Sequence, residues 1–270
     1  MAMSTIIKKS LLAFSLSAAT LCLSAQAQDV DSFEGIWSGS MTTPDHEYWN
    51  VEDFITCWAG CPKASYEFLV SLLDDPANDD MPWEALNGQF FGHMREHLAS
   101  ISTPQGLALQ QNSTDENNPS INCHDYGYMR QSFNPLPLEM TREGDILHIN
   151  YEEWNLDRTV YMDGREFPDN LEHTRLGYSI GHMEGEDLVI ETRGISAEIY
   201  NPFHGGGGHS DQLSGIERYS LLDGGNILSA DMTLTDPVTL KEPYMFHKKW
   251  ALTPDVEILE DFCTDIPGEF

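Results

Sequence analysis

The sequence predicts a mainly β fold, an antiparallel barrel carrying a helical insertion, and three observations predict it. First, three stretches open alike on an acidic or Gly-rich turn and run into an apolar strand: Gly144–Tyr151, Gly185–Thr192 and Gly224–Leu234. Glycine supplies the positive φ that tight hairpin turns need. Second, Leu228, Ala230, Met232 and Leu234 alternate with Ser229, Asp231, Thr233 and Thr235. That pattern sets one face on a core and the other in water. Third, the runs Gly215–Leu222, Tyr244–Leu252 and Val256–Phe262 continue the series at a spacing of roughly ten residues, with turn signals between them. A calycin- or lipocalin-like barrel is expected first and a β-sandwich second. Barrels of this size enclose room for one small ligand.

From the N-terminus, residues 1–27 read as a cleavable secretory signal. Lys8 and Lys9 precede an apolar run from Leu11 to Leu23, and no acid appears before Asp29. Ala25-Gln26-Ala27 is the small-x-small pattern that signal peptidase accepts. The run falls short of the roughly 20 apolar residues a membrane-spanning helix needs. Cleavage leaves 243 of the 270 residues, suited to a single β-rich domain over 28–270. Asp31–Gly39 is expected as an opening strand with Trp37 turned inward. A helical insertion follows at about 50–103. Pro62 opens one helix, Phe68, Leu69, Leu72 and Leu73 recur at helical spacing, and Pro76 stops it. Pro82 starts a second, with Trp83, Leu86, Phe90, Met94 and Leu98 along one side. Residues 104–122 are largely polar and read as an exposed loop.

The formal net charge is −30, and −32 once the two lysines of the leader are gone. Such a chain repels nucleic acid and anionic membrane surfaces, which recruit basic patches; the acids read as a solvated shell. No later stretch is apolar enough to cross a membrane, so a soluble, secreted or periplasmic protein is expected. Cys57, Cys61, Cys123 and Cys263 remain, an even count that suggests two disulfides in an oxidising compartment. Of three connectivities, Cys57–Cys61 with Cys123–Cys263 is favoured.

Several blocks carry a family likeness. They are Cys123-His-Asp-Tyr-Gly-Tyr-Met-Arg130, Val160-Tyr-Met-Asp-Gly-Arg165, Gly177–Thr192, His209-Ser-Asp-Gln-Leu213, Glu217-Arg-Tyr219 and Thr235-Asp-Pro237. Together, over about 140 residues from Cys123 onward, the chain resembles an uncharacterised family of secreted bacterial strand-rich proteins. Its members share DGR, GxSIGxWEGDxLVxxT and H-[ST]-[DE]-Q blocks. This chain has Met183 where the family usually has Trp, and Glu186-Asp187 where Asp-Thr is common. The resemblance implies a secreted, strand-rich single domain and brings no reaction with it.

The chemistry has to come from the residues. His209 follows four glycines and precedes Asp211. Histidine exchanges protons near neutral pH, and a neighbouring acid can orient it. His209, Asp211 and Asp163 are therefore the catalytic candidates, set against a flexible loop whose histidine merely caps a strand. Arg165, Arg130, Tyr178, Tyr126 and Glu217 are candidates for holding a substrate. Asp163 and Arg165 are expected to pair and hold a loop at a barrel mouth, or else to form a hairpin turn. Trp37, Tyr151, Trp154, Tyr219 and Trp250 would suit an apolar or aromatic guest, although each is also an ordinary core residue. Two classes follow: an enzyme doing cofactor-free acid–base chemistry (a lyase, hydratase or isomerase), or a non-catalytic carrier of a small apolar or aromatic molecule. His93-Met-Arg-Glu96-His97 fits the inverted zincin spacing and would make a zinc-dependent hydrolase a remote third. Its histidines read first as surface residues of an amphipathic helix, so no metal site is expected. Glu139, Glu152 and Glu153 could supply a glycosidase pair, but acids are too frequent here for that to weigh. No serine-hydrolase elbow, phosphate loop, nucleotide or haem signature is present, and no cofactor is expected.

Overall fold

The computed structural model describes residues 29–39, 61–112, 114, 119, 123–132, 134, 136–198 and 208–259. The expected leader, Cys57, Cys263 and the end of the expected strand 256–262 lie outside them, and residues 256–259 carry no strand. The strands are β1 (Gly35–Ser38), β2 (Cys61–Pro62), β3 (Leu138–Glu143), β4 (Ile146–Tyr151), β5 (Leu156–Tyr161), β6 (Tyr178–Glu184), β7 (Asp187–Arg193), β8 (Ser214–Leu222), β9 (Ile227–Thr235) and β10 (Tyr244–Leu252). The helices are α1 (Lys63–Leu73), α2 (Trp83–Ile101), α3 (Pro104–Asn112) and α4 (Gly127–Ser132).

Each strand from β3 to β10 lies beside the next in sequence, and β1 pairs with both β3 and β10. Nine strands therefore close into a barrel, the first of the two expected architectures. The short β2 adds to β10 at Phe246 and His247. One junction departs from the antiparallel expectation. β5 and β6 run parallel, matched only at Val160↔Ser179 and Tyr161↔Ile180. Parallel neighbours need a crossover in place of a tight turn. Residues 162–177 supply it, so Asp163-Gly164 opens a long connection and not a hairpin. The opening segment differs too: Val30–Phe33 is a 3₁₀ turn and the strand starts only at Gly35. Trp37 does point inward, 1% exposed, with its indole N–H donated to the Phe33 carbonyl at 2.9 Å.

The helical insertion runs further than the spacing suggested. α3 occupies 104–112, where a polar loop was expected. Pro104 suits a first helical turn, and Thr103 Oγ1 accepts the Gly106 N–H at 3.1 Å as a cap. Gly106 is required there. A Cβ on it would stand 2.2 Å from the Thr239 carbonyl oxygen, so only glycine lets α3 lie against the turn after β9.

The barrel interior is filled. Leu147, Ile149, Val160, Leu188, Ile190, Leu228, Ala230, Phe246 and Trp250 alternate inward and are buried. Tyr128 of α4 joins them, and its hydroxyl occupies the space that a Cβ on Gly215 would take. Two cations also point into this core. Arg158 on β5 meets Glu217 on β8 in a two-pronged pair at 2.7 and 3.1 Å, both side chains about 98–99% buried. Ser179 accepts the Nε proton at 3.0 Å and Thr192 an Nη2 proton at 2.7 Å. Burial opposes charge on Arg158, but Glu217 and the rings of Tyr151 and Tyr128 outweigh it and hold the proton firmly.

Lys248 on β10, 1% exposed, forms no ion pair among the described residues. Its ammonium stands 4.4 Å over the Trp250 ring and donates to the carbonyls of Ser132 and Asn134, fastening the end of α4. Burial pushes it down to about 7, against a smaller opposing pull from Glu153. The folded value lies below the unfolded one, so the unfolded chain binds this proton more readily between about pH 7 and 10. Stability should therefore rise with pH across that window, by at most about 1.4 kcal/mol per unit from this group. Urea unfolding of the native protein and of Lys248→Met at pH 7, 8 and 9 checks this. The difference between the two should grow steadily in favour of the native protein; parallel curves would contradict a buried, near-neutral lysine.

Candidate functional site

His209 enters the barrel from the loop between β7 and β8. Its backbone pairs with Glu198 in both directions, at 2.7 and 3.0 Å. Ser210 follows, and Asp236, just after β9, holds it twice: the Ser210 N–H and hydroxyl each reach the Asp236 carboxylate at 2.7 Å. The same carboxylate accepts the Val238 and Thr239 N–H groups at 3.0 and 3.3 Å. Burial alone would raise its pKa, but the hydrogen bonds from Thr239 and Ser210 win and hold Asp236 below the ordinary carboxylate range. It is an ionised brace for the His209 segment.

The His209 side chain is 7% exposed. Its Nδ1 lies 3.1 Å from the Ser210 carbonyl. A carbonyl only accepts, so Nδ1 carries the proton and Nε2 of the neutral ring is the basic nitrogen, with no hydrogen-bond partner among the described residues. Burial is the largest influence and lowers the His209 pKa. The Ser210 carbonyl and Asp236 oppose it, and Arg175 adds to it. The ring is thus neutral at pH 7.

A cleft opens beside His209. Leu98, Ser102, Gly106 and Gln110 of the helical insertion form one wall. Met129, Leu213, Leu234, Leu240 and Tyr244 form much of the rest, with Asp236 and Thr239. It contains about 390 Å³ of empty space, part of it open solvent, but only about 20 Å³ is wide enough to centre a water molecule. The lining mixes leucines and Met129 with the polar groups of Ser102, Gln110, His209, Asp236, Thr239 and Tyr244. Tyr244 is 1% exposed, and among the described residues its hydroxyl has no hydrogen-bond partner.

The expected convergence of His209 with Asp211, Asp163 and Arg165 is not what the strands give. Asp211 is exposed, and the acid beside His209 is Asp236. The start of β8 lies beside the end of β9, at Ser214↔Thr235, so His209 belongs to that end of the barrel. The start of β6 is there too, through Tyr178↔Arg193 and Thr192↔Gly215. β5 runs parallel to β6 with its last residue, Tyr161, beside Ile180, and Asp163 follows just past the point where Met162 N–H meets the Asp145 carbonyl at 2.8 Å. The chain then doubles back along the outer wall. Arg165 grips Asp163 at 2.6 and 2.8 Å, reaches the Tyr178 hydroxyl at 3.2 Å and lies 3.9 Å over the Tyr161 ring. Tyr161 and Tyr178 stack at 4.9 Å. The Arg165 guanidinium holds Asp163 down at about 2. Asp163, Arg165 and Tyr178 thus form one exposed, mutually satisfied cluster that pins the crossover. The pairing was expected, but its place is the outer wall and not a barrel mouth.

The other candidates are accounted for separately. Glu217 is inside the barrel, committed to Arg158. Arg130 lies 3.4 Å over the Tyr126 ring, which meets Trp154 edge to face at 5.6 Å. Trp37, Tyr151, Tyr219 and Trp250 are packed core, and none of them lines the His209 cleft. His93 is bonded to Ser65 at 3.0 Å and stacked 4.3 Å from Phe68. His97, its pKa lowered by burial and by His93, faces a separate surface groove with Lys63, Glu67 and Glu242. Among the described residues no three His, Cys, Asp or Glu side chains are placed to hold a metal, and no helix is long and apolar enough to cross a membrane. Asp236 was within reach of sequence reasoning: it stands in the noted Thr235-Asp-Pro237 block, and Asp before Pro is a turn-forming pair. No protein-family model, no curated protein and no solved structure matches the chain.

Proposed function

We propose that the protein is a secreted or periplasmic, cofactor-free acid–base enzyme (a lyase, hydratase or isomerase) acting on a small, largely apolar molecule in the cleft beside His209. The observation that carries it is the neutral, buried imidazole whose Nδ1 is tied to a backbone carbonyl, leaving Nε2 basic beside an apolar slot. A general base needs reach, a fixed ring and a pKa near or below the working pH. Asp236 braces the backbone that sets the ring. The narrow cleft favours a slender aliphatic guest over the aromatic one that the tryptophans suggested. The carrier alternative loses its main support, since the centre of the barrel is occupied by core side chains and by Tyr128. The leader at residues 1–27 supports action outside the cytoplasm.

The pH profile tests this. Burial depresses the His209 pKa, so the base form persists to lower pH than in free histidine. Turnover of small alkenes, epoxides and enones, screened as kcat/KM over about pH 4–8, should rise through a midpoint below the ordinary histidine value of about 6.5 and be flat by neutral pH. A midpoint above that value, or turnover that falls as pH rises through it, would remove His209 as the base.

A further inference from the structure

The Tyr244 hydroxyl adds a substrate class to that reading, on which it rests. It belongs to a residue 1% exposed at the start of β10, lines the same cleft as His209, and finds no partner among the described residues. A buried hydroxyl without a partner is costly, and native proteins rarely leave one unless something else supplies the bond. Burial also raises the Tyr244 pKa, so the phenol stays protonated and offers its proton. The surroundings say what kind of group it faces. Asp236 is ionised nearby, and the cation closest in influence, Arg175, is already paired with Asp125 and Glu198. Among the described lining residues an anionic ligand would meet a carboxylate and no Lys or Arg. We propose that Tyr244 is the hydrogen-bond donor to an uncharged oxygen of the substrate, a ketone, aldehyde, epoxide or alcohol, carried on a slender apolar skeleton.

The test uses the mature chain labelled with [¹³Cζ]tyrosine and 2-butanone as the probe, with butyrate as its charged counterpart. Tyr244→Phe assigns the resonance. The proposal expects a saturable shift of Tyr244 Cζ with 2-butanone, binding weakened about tenfold in Tyr244→Phe, and no binding of butyrate. Tyr244→Phe should melt no lower than the native protein, because it deletes a hydroxyl that the fold does not bond. If 2-butanone perturbs the His209 ring while Tyr244 and the Tyr244→Phe affinity stay unchanged, the donor role is wrong and the His209 reading survives. Butyrate binding as well as 2-butanone would overturn the uncharged class. A several-degree drop in the Tyr244→Phe melting temperature would show the hydroxyl to be a structural bond and overturn the proposal. Silence at both residues, with only water in the cleft, would overturn it and the His209 site together.

Discussion

Glu217→Ala is expected to cost about 3–5 kcal/mol of stability, a large share of the roughly 5–15 kcal/mol that holds a typical domain together. The cause is Arg158. Its guanidinium is 2% exposed inside the barrel, and Glu217 is the group that neutralises it. Removing the carboxylate leaves a cation buried beside Tyr128 and Tyr151, with only neutral hydroxyls, those of Ser179 and Thr192 among them, to accept its protons. The pair itself need not be stabilising, since desolvating two charges offsets most of their attraction. Arg158→Met with Glu217→Leu should therefore be near neutral, or more stable than the native protein by up to a few kcal/mol. Urea unfolding of the single and double variants separates the two effects. A single variant costing less than about 1 kcal/mol would mean that water reaches Arg158 and that the barrel is not filled.

His209→Ala is expected to lower turnover by about 10²–10⁴-fold while leaving the fold intact. Two features separate a catalytic role from a structural one. The segment's backbone is held by Glu198 and by the Asp236–Ser210 bonds, none of which uses the imidazole. Among the described residues the ring bonds only to the Ser210 carbonyl, next in sequence. Losing the ring should therefore spare the fold. Asp236→Ala should act the other way, lowering stability and activity together, because four hydrogen bonds to Ser210, Val238 and Thr239 go with it. If His209→Ala unfolds the protein and retains activity per folded molecule, the histidine is a cap.

Alternation made the walls of the barrel legible. β10 falls on Tyr244–Leu252, as its pattern suggested, and Leu228, Ala230, Met232 and Leu234 are buried as expected. The same alternation carried a second message that composition obscured. Arg158 stands two residues from Val160, Glu217 between Gly215 and Tyr219, and Lys248 between Phe246 and Trp250. All are inward positions, so a charge at any of them marks a buried site. α3 was hidden for a different reason: Gln-Gly-Leu-Ala-Leu-Gln-Gln has no apolar stripe, and it is fixed by its cap and by contact with Thr239. The parallel junction between β5 and β6 was equally silent, because strand direction leaves no trace in a period of two. After that inversion Asp163 and Arg165 are held on the outer wall, against Tyr161 and Tyr178. Asp236 replaces Asp211 because a turn after β9 folds onto the His209 segment, a long-range contact that no local pattern encodes.

The most direct measurement is a crystal structure of the protein isolated from its native source, with whatever compound it retains. The expected result is a small, slender, apolar molecule in the cleft between α2, α3 and Tyr244, within hydrogen-bond reach of His209 Nε2, with Asp236 still bonded to Ser210. A compound seated against Tyr161 and Tyr178 on the outer wall, with the His209 cleft closed, would contradict it.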